Sequence, residues 1–331
     1  MEVNLTSQVG QNRLLLHEAV PLATPLVLYV EPSGYCNLSC AFCPQGAATV
    51  GLKKTMMSSD LFTKMIDDLA DFPDRVKLLR VCGNGDPLTN RHIAEMVEYA
   101  SNRDVAEKIE LITNALLLTP ELICCLPRYL TRLVCSIEGL SADDYLRICN
   151  TRVDFEKFLE TLDALYAARG TCTIHIKIHH EAVSSQVAEE RFFALFQDKC
   201  NEIFIEKLVP MWPQLTTAFS SQEFRWGDTS VTKRQVCAQI FKGIQVQADG
   251  EVVPCCVDWS RVNVIGNLYD TSLVEIWRGE RLNKLQIEHL SGNKAMLEPC
   301  KDCSMNDFCE VDDLDDHANE CLKRFMLQEQ V

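Results

Sequence analysis

The stretch Tyr35-Cys36-Asn37-Leu38-Ser39-Cys40-Ala41-Phe42-Cys43-Pro44 carries three cysteines within eight consecutive residues. Three residues separate Cys36 from Cys40, and two separate Cys40 from Cys43. A short loop can wrap three thiolates at this spacing around one metal centre. A [4Fe–4S] cluster normally takes four cysteine ligands, so three ligands leave one iron free for a group that is not protein. The aromatic ring of Phe42, directly before the last cysteine, would shield the edge of such a cluster from water.

The main alternative for this loop is a zinc site or a run of buried free thiols. Zinc sites usually pair one CX2C motif with a second one, or with two histidines, and close with four ligands. No histidine lies within 15 residues on either side of the cysteine triplet. The spacing therefore favours an iron–sulfur cluster over zinc.

The CX3CX2C loop resembles the signature of the radical S-adenosylmethionine (SAM) enzymes. The resemblance implies that Cys36, Cys40 and Cys43 hold a [4Fe–4S] cluster whose open iron chelates the amino and carboxylate groups of SAM. It also implies that SAM is cleaved reductively to methionine and a 5′-deoxyadenosyl radical. A reaction of this kind needs an electron donor as a partner, such as flavodoxin or ferredoxin.

The length and charge of the chain exclude some classes of function. Its 331 residues suffice for one large domain and a smaller one. It carries 32 Lys+Arg against 47 Asp+Glu, a formal net charge of −15. A protein that follows nucleic-acid phosphates would show a basic face, so no nucleic-acid partner is expected. A local basic patch can still hold an anionic substrate.

Seventeen cysteines are many for a chain whose composition is otherwise that of a globular protein. A secreted disulfide scaffold would be short and begin with a signal peptide, whereas residues 1–18 are polar. No apolar run reaches the roughly 18 to 20 residues of a membrane span. We therefore expect a cytoplasmic protein without a membrane partner. Cysteines outside the motifs are expected to act as small buried residues, namely Cys82, Cys124, Cys125, Cys135, Cys149 and Cys172.

Apolar runs alternate with amphipathic stretches from residue 26 onward. Six runs are typical of strands, at residues 25–31, 76–81, 108–113, 132–137, 172–178 and 202–208. Strands that alternate with helices predict stacked βαβ units and a parallel sheet. A full eight-stranded barrel usually needs about 250 residues. The predicted fold is therefore α/β, a partial (β/α)6 TIM-like barrel, which is also what the family resemblance implies.

Chemistry in barrels lies at the C-terminal ends of the strands. Gly83-Asn84-Gly85-Asp86-Pro87 follows the second strand, and its glycines let backbone groups approach a ligand closely. It is similar to the family's "GGEP" segment, which implies contact with the SAM amino group by Gly83, Asn84, Gly85 and Asp86. Two departures stand out, because Asn84 replaces the first glycine and Asp86 replaces glutamate.

Two further strand ends resemble family motifs. Thr113-Asn114-Ala115 is similar to "TNG", and Ser136-Ile137-Glu138-Gly139 is similar to "SxDG" with a longer acid. The resemblance implies that Ser136 and Glu138 lie near the ribose and carboxylate of SAM. It places Asn114 near SAM as well, and a turn residue at the strand end is the alternative for Asn114. Lys177 on the fifth strand could meet the SAM carboxylate or a substrate anion, or could be a solvated charge. Three nearby histidines stay unassigned, namely His175, His179 and His180.

The strand–helix alternation stops before residue 211. Proline, glutamine, serine and threonine then predominate, which is typical of a linker. We expect an N-terminal extension (1–25), the barrel (26–210), a linker (211–236) and a C-terminal domain (237–331). The linker's aromatic residues either lean over the barrel mouth or anchor one domain on the other, and they are Trp212, Phe219, Phe224 and Trp226.

The C-terminal domain contains a second group of cysteines. Asp249-Gly250 between two apolar runs predicts a β-hairpin, and residues 273–277 predict a short helix. The cysteines follow the patterns CX12GX4C and CX2CX5C, with one more near the end, and they are Cys237, Cys255, Cys300, Cys303, Cys309 and Cys321. This arrangement resembles the SPASM/twitch domain that follows the barrel in a large radical SAM subfamily.

A complete domain of that kind carries seven cysteines and two auxiliary [4Fe–4S] clusters. Here three residues separate Cys309 from Asp313, and Asp313 occupies the position where the pattern has a cysteine. The resemblance therefore implies at least one auxiliary [4Fe–4S] cluster, with the ligands Cys237, Cys255, Cys300 and Cys303. Cys309 and Cys321 remain open as spare thiols, as replacement ligands or as ligands of another cluster. A zinc ribbon is the alternative for this domain.

The subfamily contains enzymes that oxidise or epimerise sugars and aminocyclitols, and others that modify peptides or proteins. Peptide modifiers often carry an N-terminal leader-binding domain, and only about 25 residues precede the first strand here. The expected substrate is therefore a sugar, an aminocyclitol or another small polyol, with a peptide as the alternative. A four-cysteine cluster has no open iron, so electron transfer and net oxidation are expected. Epimerisation needs a hydrogen donor instead, for which Cys256 is a candidate. A non-catalytic zinc protein is the rival from another class.

Overall fold

The structure is a computed structural model that describes residues 14–47, 51–209, 233–308 and 312–328. The predicted ligand Cys309 and most of the predicted linker lie outside the described residues. The same is true of the linker's four aromatic residues, Trp212, Phe219, Phe224 and Trp226.

Six parallel strands form the larger part of a single sheet. They are β1 (Val27–Val30), β2 (Leu78–Val81), β3 (Ile109–Thr113), β4 (Arg132–Ile137), β5 (Thr173–His179) and β6 (Glu202–Glu206). Each strand pairs in parallel with the next one along the chain. The prediction of an α/β fold with a partial barrel of six parallel strands is confirmed.

Three strands from the C-terminal region extend the sheet beyond β1. They are β7 (Gly243–Val246), β8 (Glu251–Val253) and β9 (Gly266–Asn267). β7 runs parallel to β1, with Gly243 opposite Val27, whereas β8 and β9 continue antiparallel. A Cβ atom on Gly243 would lie 2.0 Å from the Val27 carbonyl oxygen, so this close pairing requires glycine. Barrel and C-terminal region thus share one nine-stranded sheet.

Helices cover one face of the sheet and build the C-terminal region. They are α1 (Leu16–Ala19), α2 (Pro44–Ala47), α3 (Ser59–Leu69), α4 (Ile93–Arg103), α5 (Pro120–Tyr129), α6 (Ala142–Cys149), α7 (Phe155–Ala168), α8 (Gln186–Phe196), α9 (Gln239–Lys242), α10 (Leu273–Trp277), α11 (Glu280–Leu290), α12 (Met305–Phe308) and α13 (Ala318–Gln328). Side-chain oxygens accept hydrogen bonds from the unpaired N–H groups that open five barrel helices, at Ser58, Thr119, Ser141, Asp154 and Ser185. Six helices were not predicted. α1, α2, α9 and α12 have 4 residues each and α6 has 8, and α11 is rich in polar residues.

The two faces of the barrel strands differ in chemistry. Leu28, Val30 and their counterparts on β2 to β6 are buried against the helices in one continuous core. The opposite, concave face carries charged residues. Arg80 Nε lies 2.6 Å from Glu110 Oε1, and Arg132 Nη2 lies 2.6 Å from Glu202 Oε2. The concave face can therefore hold polar ligands, whereas the helix-facing side holds the fold together.

A second apolar cluster joins the N-terminal helix to the C-terminal one. Leu16 and Val20 pack with Phe241, Cys321 and Phe325, all of them buried. Among the helices that the structure describes, none combines the length and apolar character that a membrane crossing requires.

Candidate functional site

The cysteine triplet lies in the loop that follows β1, at the C-terminal end of the barrel strands. Cys40 is buried, and Cys36 and Cys43 are partly exposed. The C-terminal end of α6 holds this loop through two backbone hydrogen bonds. The Ser39 N–H donates to the Cys149 carbonyl at 3.1 Å, and the Ala41 N–H donates to the Ile148 carbonyl at 2.9 Å.

A fourth thiol lies beside the triplet. Cys149 Sγ is 3.5 Å from Cys40 Sγ, and the Cys40 thiol donates the hydrogen bond. This bond, together with burial, holds the pKa of Cys40 well above its usual range. Burial also raises the pKa of Cys36 to about 11 and raises the pKa of Cys43. Cys149 is fully buried, as expected from its apolar surroundings, but its contact with the cysteine loop was not foreseen.

Three thiols on one short loop are the kind of donor that an iron–sulfur cluster takes. Within the described ranges, no three Cys, His, Asp or Glu side chains converge closely enough to hold one metal ion. In a [4Fe–4S] cluster each thiolate binds its own iron, so the three thiols need not meet at one point. The loop therefore fits an iron–sulfur cluster through the chemistry of its donors.

The predicted SAM-binding loop after β2 lies directly against the cysteine loop. A Cβ atom on Gly85 would lie 2.2 Å from the Tyr35 carbonyl oxygen, so the two backbones meet only because this residue is glycine. The Asp86 N–H donates to the same carbonyl at 2.8 Å. The Asn84 N–H donates to Glu31 Oε2 at 2.8 Å. The loop is thus fixed by the Tyr35 carbonyl on one side and by the Glu31 carboxylate on the other.

The carboxylate of Asp86 points towards the end of β3. It accepts hydrogen bonds from Thr113 Oγ1 at 2.8 and 2.9 Å, from the Asn114 N–H at 2.8 Å and from the Leu88 N–H at 2.9 Å. Burial raises its pKa, and these hydrogen bonds oppose that rise. Asp86 therefore joins the Gly83–Asp86 loop to the Asn114 turn.

Asn114 reaches the cysteine loop from that turn. Its side-chain amide donates to Asn37 Oδ1 at 2.8 Å and lies 3.9 Å from Cys36 Sγ. The structure thus brings together the cysteine loop and two of the strand ends that the sequence singled out.

The ends of β4, β5 and β6 form the other side of the mouth. Burial raises the pKa of Glu138 to about 8. His179 Nε2 lies 3.6 Å from Glu138 Oε2, and its ring centroid lies 4.7 Å from that of Phe42. His179 is buried, neither ring nitrogen has a hydrogen-bond partner, and burial lowers its pKa to about 4. Burial therefore favours the neutral form of both side chains.

Lys177 was expected either to contact an anionic ligand or to be a solvated charge, and the structure places it between these two cases. Its ammonium nitrogen is 2.8 Å from Glu206 Oε1, and its side chain is 23% exposed. It is therefore an ion-paired residue of the concave face. Ser136 lies opposite Lys177 on the neighbouring strand.

The C-terminal region contains a pocket lined by four cysteines. The four are Cys237, Cys255, Cys300 and Cys303, with Asp258, Lys294 and Met305 among their neighbours. Burial raises the pKa of Cys300 to about 12 and raises the pKa of Cys303. Four thiols around one enclosed space are the donor set of a closed [4Fe–4S] cluster.

Two further cysteines in the described part of this region, Cys256 and Cys321, lie outside the pocket lining. Cys321 is buried in the second apolar cluster and is not part of the pocket lining. Cys256 interacts electrostatically with Tyr29, Cys82 and Arg80 on the concave face of the barrel. The pKa of Cys256 is lowered, chiefly by its hydrogen bond with Cys255. Cys256 thus lies between the four-thiol pocket and the concave face.

Asp313, at a position where the resemblance predicts a cysteine, is half exposed and 3.3 Å from Arg234. Two residues near the site were not singled out from the sequence, Glu31 and Arg261. Glu31 carried a signal, because it is an acid at the end of an apolar strand.

Comparison with known families gives two matches. The radical SAM superfamily model matches residues 30–186, and the model of the SPASM iron–sulfur cluster-binding domain matches residues 237–304. Together they cover the cysteine triplet and the four cysteines of the pocket.

Two curated proteins are similar in sequence. A tungsten-containing aldehyde ferredoxin oxidoreductase cofactor-modifying protein of Pyrococcus furiosus is 24% identical, over 88% of this chain and 92% of that protein. An AdoMet-dependent heme synthase of Methanosarcina barkeri is 29% identical over 44% of this chain, and the match spans only 40% of its own length.

Solved structures share the fold at low identity. BtrN in complex with AdoMet and 2-DOIA superimposes with a TM-score of 0.55 at 16% identity, covering 84% of this chain and 92% of BtrN. The anSMEcpe protein with bound AdoMet gives 0.57 at 14% identity, covering 92% and 94%. Streptococcus suis SuiB bound to its precursor peptide SuiA gives 0.55 at 14%, covering 82% and 69%. The chain belongs to the radical SAM superfamily and carries a SPASM domain, which implies a SAM-binding [4Fe–4S] cluster and auxiliary iron–sulfur clusters.

Proposed function

We propose that this protein cleaves SAM reductively and uses the resulting 5′-deoxyadenosyl radical to remove a hydrogen atom from a C–H bond of a small polyol, sugar or aminocyclitol. The proposed net reaction is oxidation of an alcohol carbon. The observation that carries the proposal is the placement of a three-thiol loop and a four-thiol pocket on the two sides of the β1–β7 pairing. The open loop suits radical generation, and the enclosed pocket suits electron transfer.

The proposed SAM site extends from the cysteine loop across the barrel mouth. Cys36, Cys40 and Cys43 would hold the cluster that supplies the radical chemistry. Around it, the backbone of Gly83, Asn84 and Gly85 would bind the methionine part of SAM. The carboxylate of Asp86 would act mainly by fixing that loop, because its oxygens already accept hydrogen bonds from the β3 turn.

The other side of the mouth would bind the adenosine part of SAM and the substrate. Asn114, Ser136 and Glu138 would lie nearest to SAM. Lys177 and Glu206 form an ion pair on the concave face, so they can both donate hydrogen bonds to hydroxyl groups and accept them. His179 adds a buried imidazole whose ring nitrogens accept and donate no hydrogen bond within the described residues. Such a set of groups suits a compact molecule rich in hydroxyl or amino groups.

The four-thiol pocket would hold one auxiliary cluster. All four of its cysteines would bind iron, so no position is open for direct contact with the substrate. A substrate radical on an alcohol carbon is strongly reducing once its hydroxyl proton has left. The electron would pass to the auxiliary cluster, and a carbonyl group would remain. The physiological reductant would be a flavodoxin or ferredoxin.

Modification of a peptide remains the alternative, since the chain shares its fold with both BtrN, solved with 2-DOIA, and SuiB, solved with a precursor peptide. The test is anaerobic incubation of the reduced, reconstituted protein with SAM and candidate polyols, sugars and peptides, followed by mass spectrometry. We expect 5′-deoxyadenosine in a one-to-one ratio with a polyol product two hydrogens lighter. Product formation only from a peptide would overturn the substrate assignment.

Epimerisation is the second candidate, and the position of Cys256 favours it. Its side chain is close enough to Tyr29 and Cys82 for electrostatic interaction, so a thiol borders the concave face. Such a thiol could return a hydrogen atom to a substrate radical. A reaction in deuterium oxide separates the two outcomes. Oxidation leaves no deuterium at the reacting carbon, whereas epimerisation gives a product of unchanged oxidation state with one solvent deuterium there.

A further inference from the structure

Arg261 of the C-terminal region is a buried cation among three carboxylates. Its side chain is 6% exposed, and Nη1 lies 2.6 Å from Asp249 and 3.0 Å from Glu251. The other guanidinium nitrogen, Nη2, lies 3.7 Å from Glu31 Oε1. Glu31 belongs to the barrel, directly after β1. Arg261 is therefore a direct electrostatic contact between the two cysteine regions.

Glu31 in turn supports the loop proposed to bind SAM. Its side chain is fully buried, and Oε2 accepts a hydrogen bond from the Asn84 N–H at 2.8 Å. A Cβ atom on Gly83 would lie 2.5 Å from Glu31 Cγ, so the glycine backbone rests directly on this side chain. Any shift of the Glu31 carboxylate therefore moves the start of the Gly83–Asp86 loop.

The loop that carries Arg261 also forms a wall of the four-thiol pocket. Asp258 and Asn263 line the pocket together with Cys255. The Asp258 carboxylate accepts hydrogen bonds from the N–H groups of Val262 at 3.0 Å and Asn263 at 2.8 Å.

Arg261 itself has a φ of 52°, a left-handed conformation that is uncommon for a residue other than glycine. Such a conformation persists where the surrounding contacts hold it. The pocket wall therefore fixes where the guanidinium lies.

We propose that Arg261 is a positioning residue through which the auxiliary-cluster domain holds the Gly83–Asp86 loop in the conformation that binds SAM. The inference rests on the proposed role of that loop in binding SAM. A buried carboxylate needs a compensating cation or several hydrogen-bond donors to keep its place. Arg261 supplies the cation, and the Ala248 N–H adds only a long hydrogen bond to Glu31 Oε1 at 3.5 Å. Loss of Arg261 therefore leaves Glu31 without this charge partner and loosens the loop.

The test uses the anaerobically reconstituted full chain and SAM itself as the probe. Equilibrium dialysis measures the Kd for SAM, and electron paramagnetic resonance of the reduced protein reports SAM bound at the N-terminal cluster. Arg261→Gln should raise the Kd for SAM about tenfold, within the usual range for coupling between two sites. Arg261→Lys keeps the charge and should recover part of the loss.

Two matched variants separate positioning from a general loss of stability. Lys53 contacts the same Asp249 and Glu251, but its side chain is 49% exposed, so Lys53→Gln should leave the Kd within about twofold. Glu31→Gln keeps an oxygen acceptor for the Asn84 N–H but removes the charge, and it should weaken SAM binding as well. A purely structural role would lower iron content or Tm without changing the Kd of the folded protein.

Asp86→Ala tests the proposed SAM site independently. If Asp86→Ala weakens SAM binding and both Arg261→Gln and Glu31→Gln bind SAM like the parent, the positioning role is wrong and the SAM site stands. If all three variants bind SAM like the parent, the assignment of the Gly83–Asp86 loop falls as well.

Discussion

The two cysteine regions differ in the number and the enclosure of their thiols. The loop at Cys36 to Cys43 offers three, at the open end of the barrel, with two of them partly exposed. The C-terminal region offers four, around one enclosed pocket. The same side chain therefore serves two purposes, because three ligands leave an iron for SAM and four leave none. The comparison teaches that ligand count and surroundings, more than residue type, decide which site can perform chemistry on a ligand.

The largest expected effect comes from removing the open site alone. Changing Cys36, Cys40 and Cys43 together to Ala should abolish SAM cleavage and leave a weaker iron–sulfur absorbance from the pocket. The reason is that the two thiol sets line separate sites. Chromatographic measurement of 5′-deoxyadenosine and a visible spectrum decide this, with Cys172→Ala as the control. Cleavage at the parent rate in the triple variant would refute the distinction between the sites.

The iron count tests whether the C-terminal region is a single closed site. We expect about eight irons per chain, four at each site, because Asp313 stands where the family pattern has a cysteine. Iron and sulfide analysis of fully reconstituted protein, supported by Mössbauer spectroscopy, measures this number. A reproducible content near twelve would mean that a second auxiliary cluster forms.

His179, at the mouth of the barrel, should make the stability of the protein depend on pH in the acid range. Burial lowers its pKa to about 4 from an ordinary 6.5. Between these pH values His179 binds a proton in the unfolded chain but not in the native state. His179 therefore lowers the free energy of unfolding as pH falls from 6.5 to 4. His179→Gln should flatten that slope by at most about 1.4 kcal/mol per pH unit.

Urea unfolding of the variant and the parent at several pH values measures the difference. Equal slopes for the parent and His179→Gln would show that the imidazole is solvated or paired in solution.

The smallest expected effect concerns Cys149. This thiol is a hydrogen-bond partner of the ligand Cys40 and adds a fourth thiol beside the three-thiol site. When Cys40 binds iron as a thiolate it can only accept, so the Cys149 thiol, 3.5 Å away, becomes the donor. Loss of one hydrogen bond of about 1 kcal/mol should lower the reduction potential of the N-terminal cluster by tens of millivolts. Redox titration of Cys149→Ala against Cys135→Ala checks this, and no shift would deny the contact a role.

Much of the architecture could be predicted because its signals are local. The cysteine spacings, the apolar runs of β1 to β6 and the Asp249-Gly250 hairpin each lie within a few residues. What could not be predicted depends on distant pairs. Cys149 looks like any buried cysteine until α6 brings it to Cys40, and the helix itself is too short for a clear period. Glu31 and Arg261 are in contact although 230 positions separate them in the sequence, and no local pattern predicts such a contact.

The pairing of β1 with β7 also has a consequence during synthesis. Val27 pairs with Gly243, which follows 216 positions later in the chain, so one edge of β1 stays unpaired until β7 has been synthesised. At roughly 5 to 20 residues per second, the ribosome needs about ten to forty seconds to supply it. Through that interval the backbone amides and carbonyls of β1, next to the cysteine loop, form an unpaired strand edge, which is a template for aggregation. The nascent chain is therefore most vulnerable before its C-terminal cysteines emerge, and slow translation of this gene would lengthen the exposure.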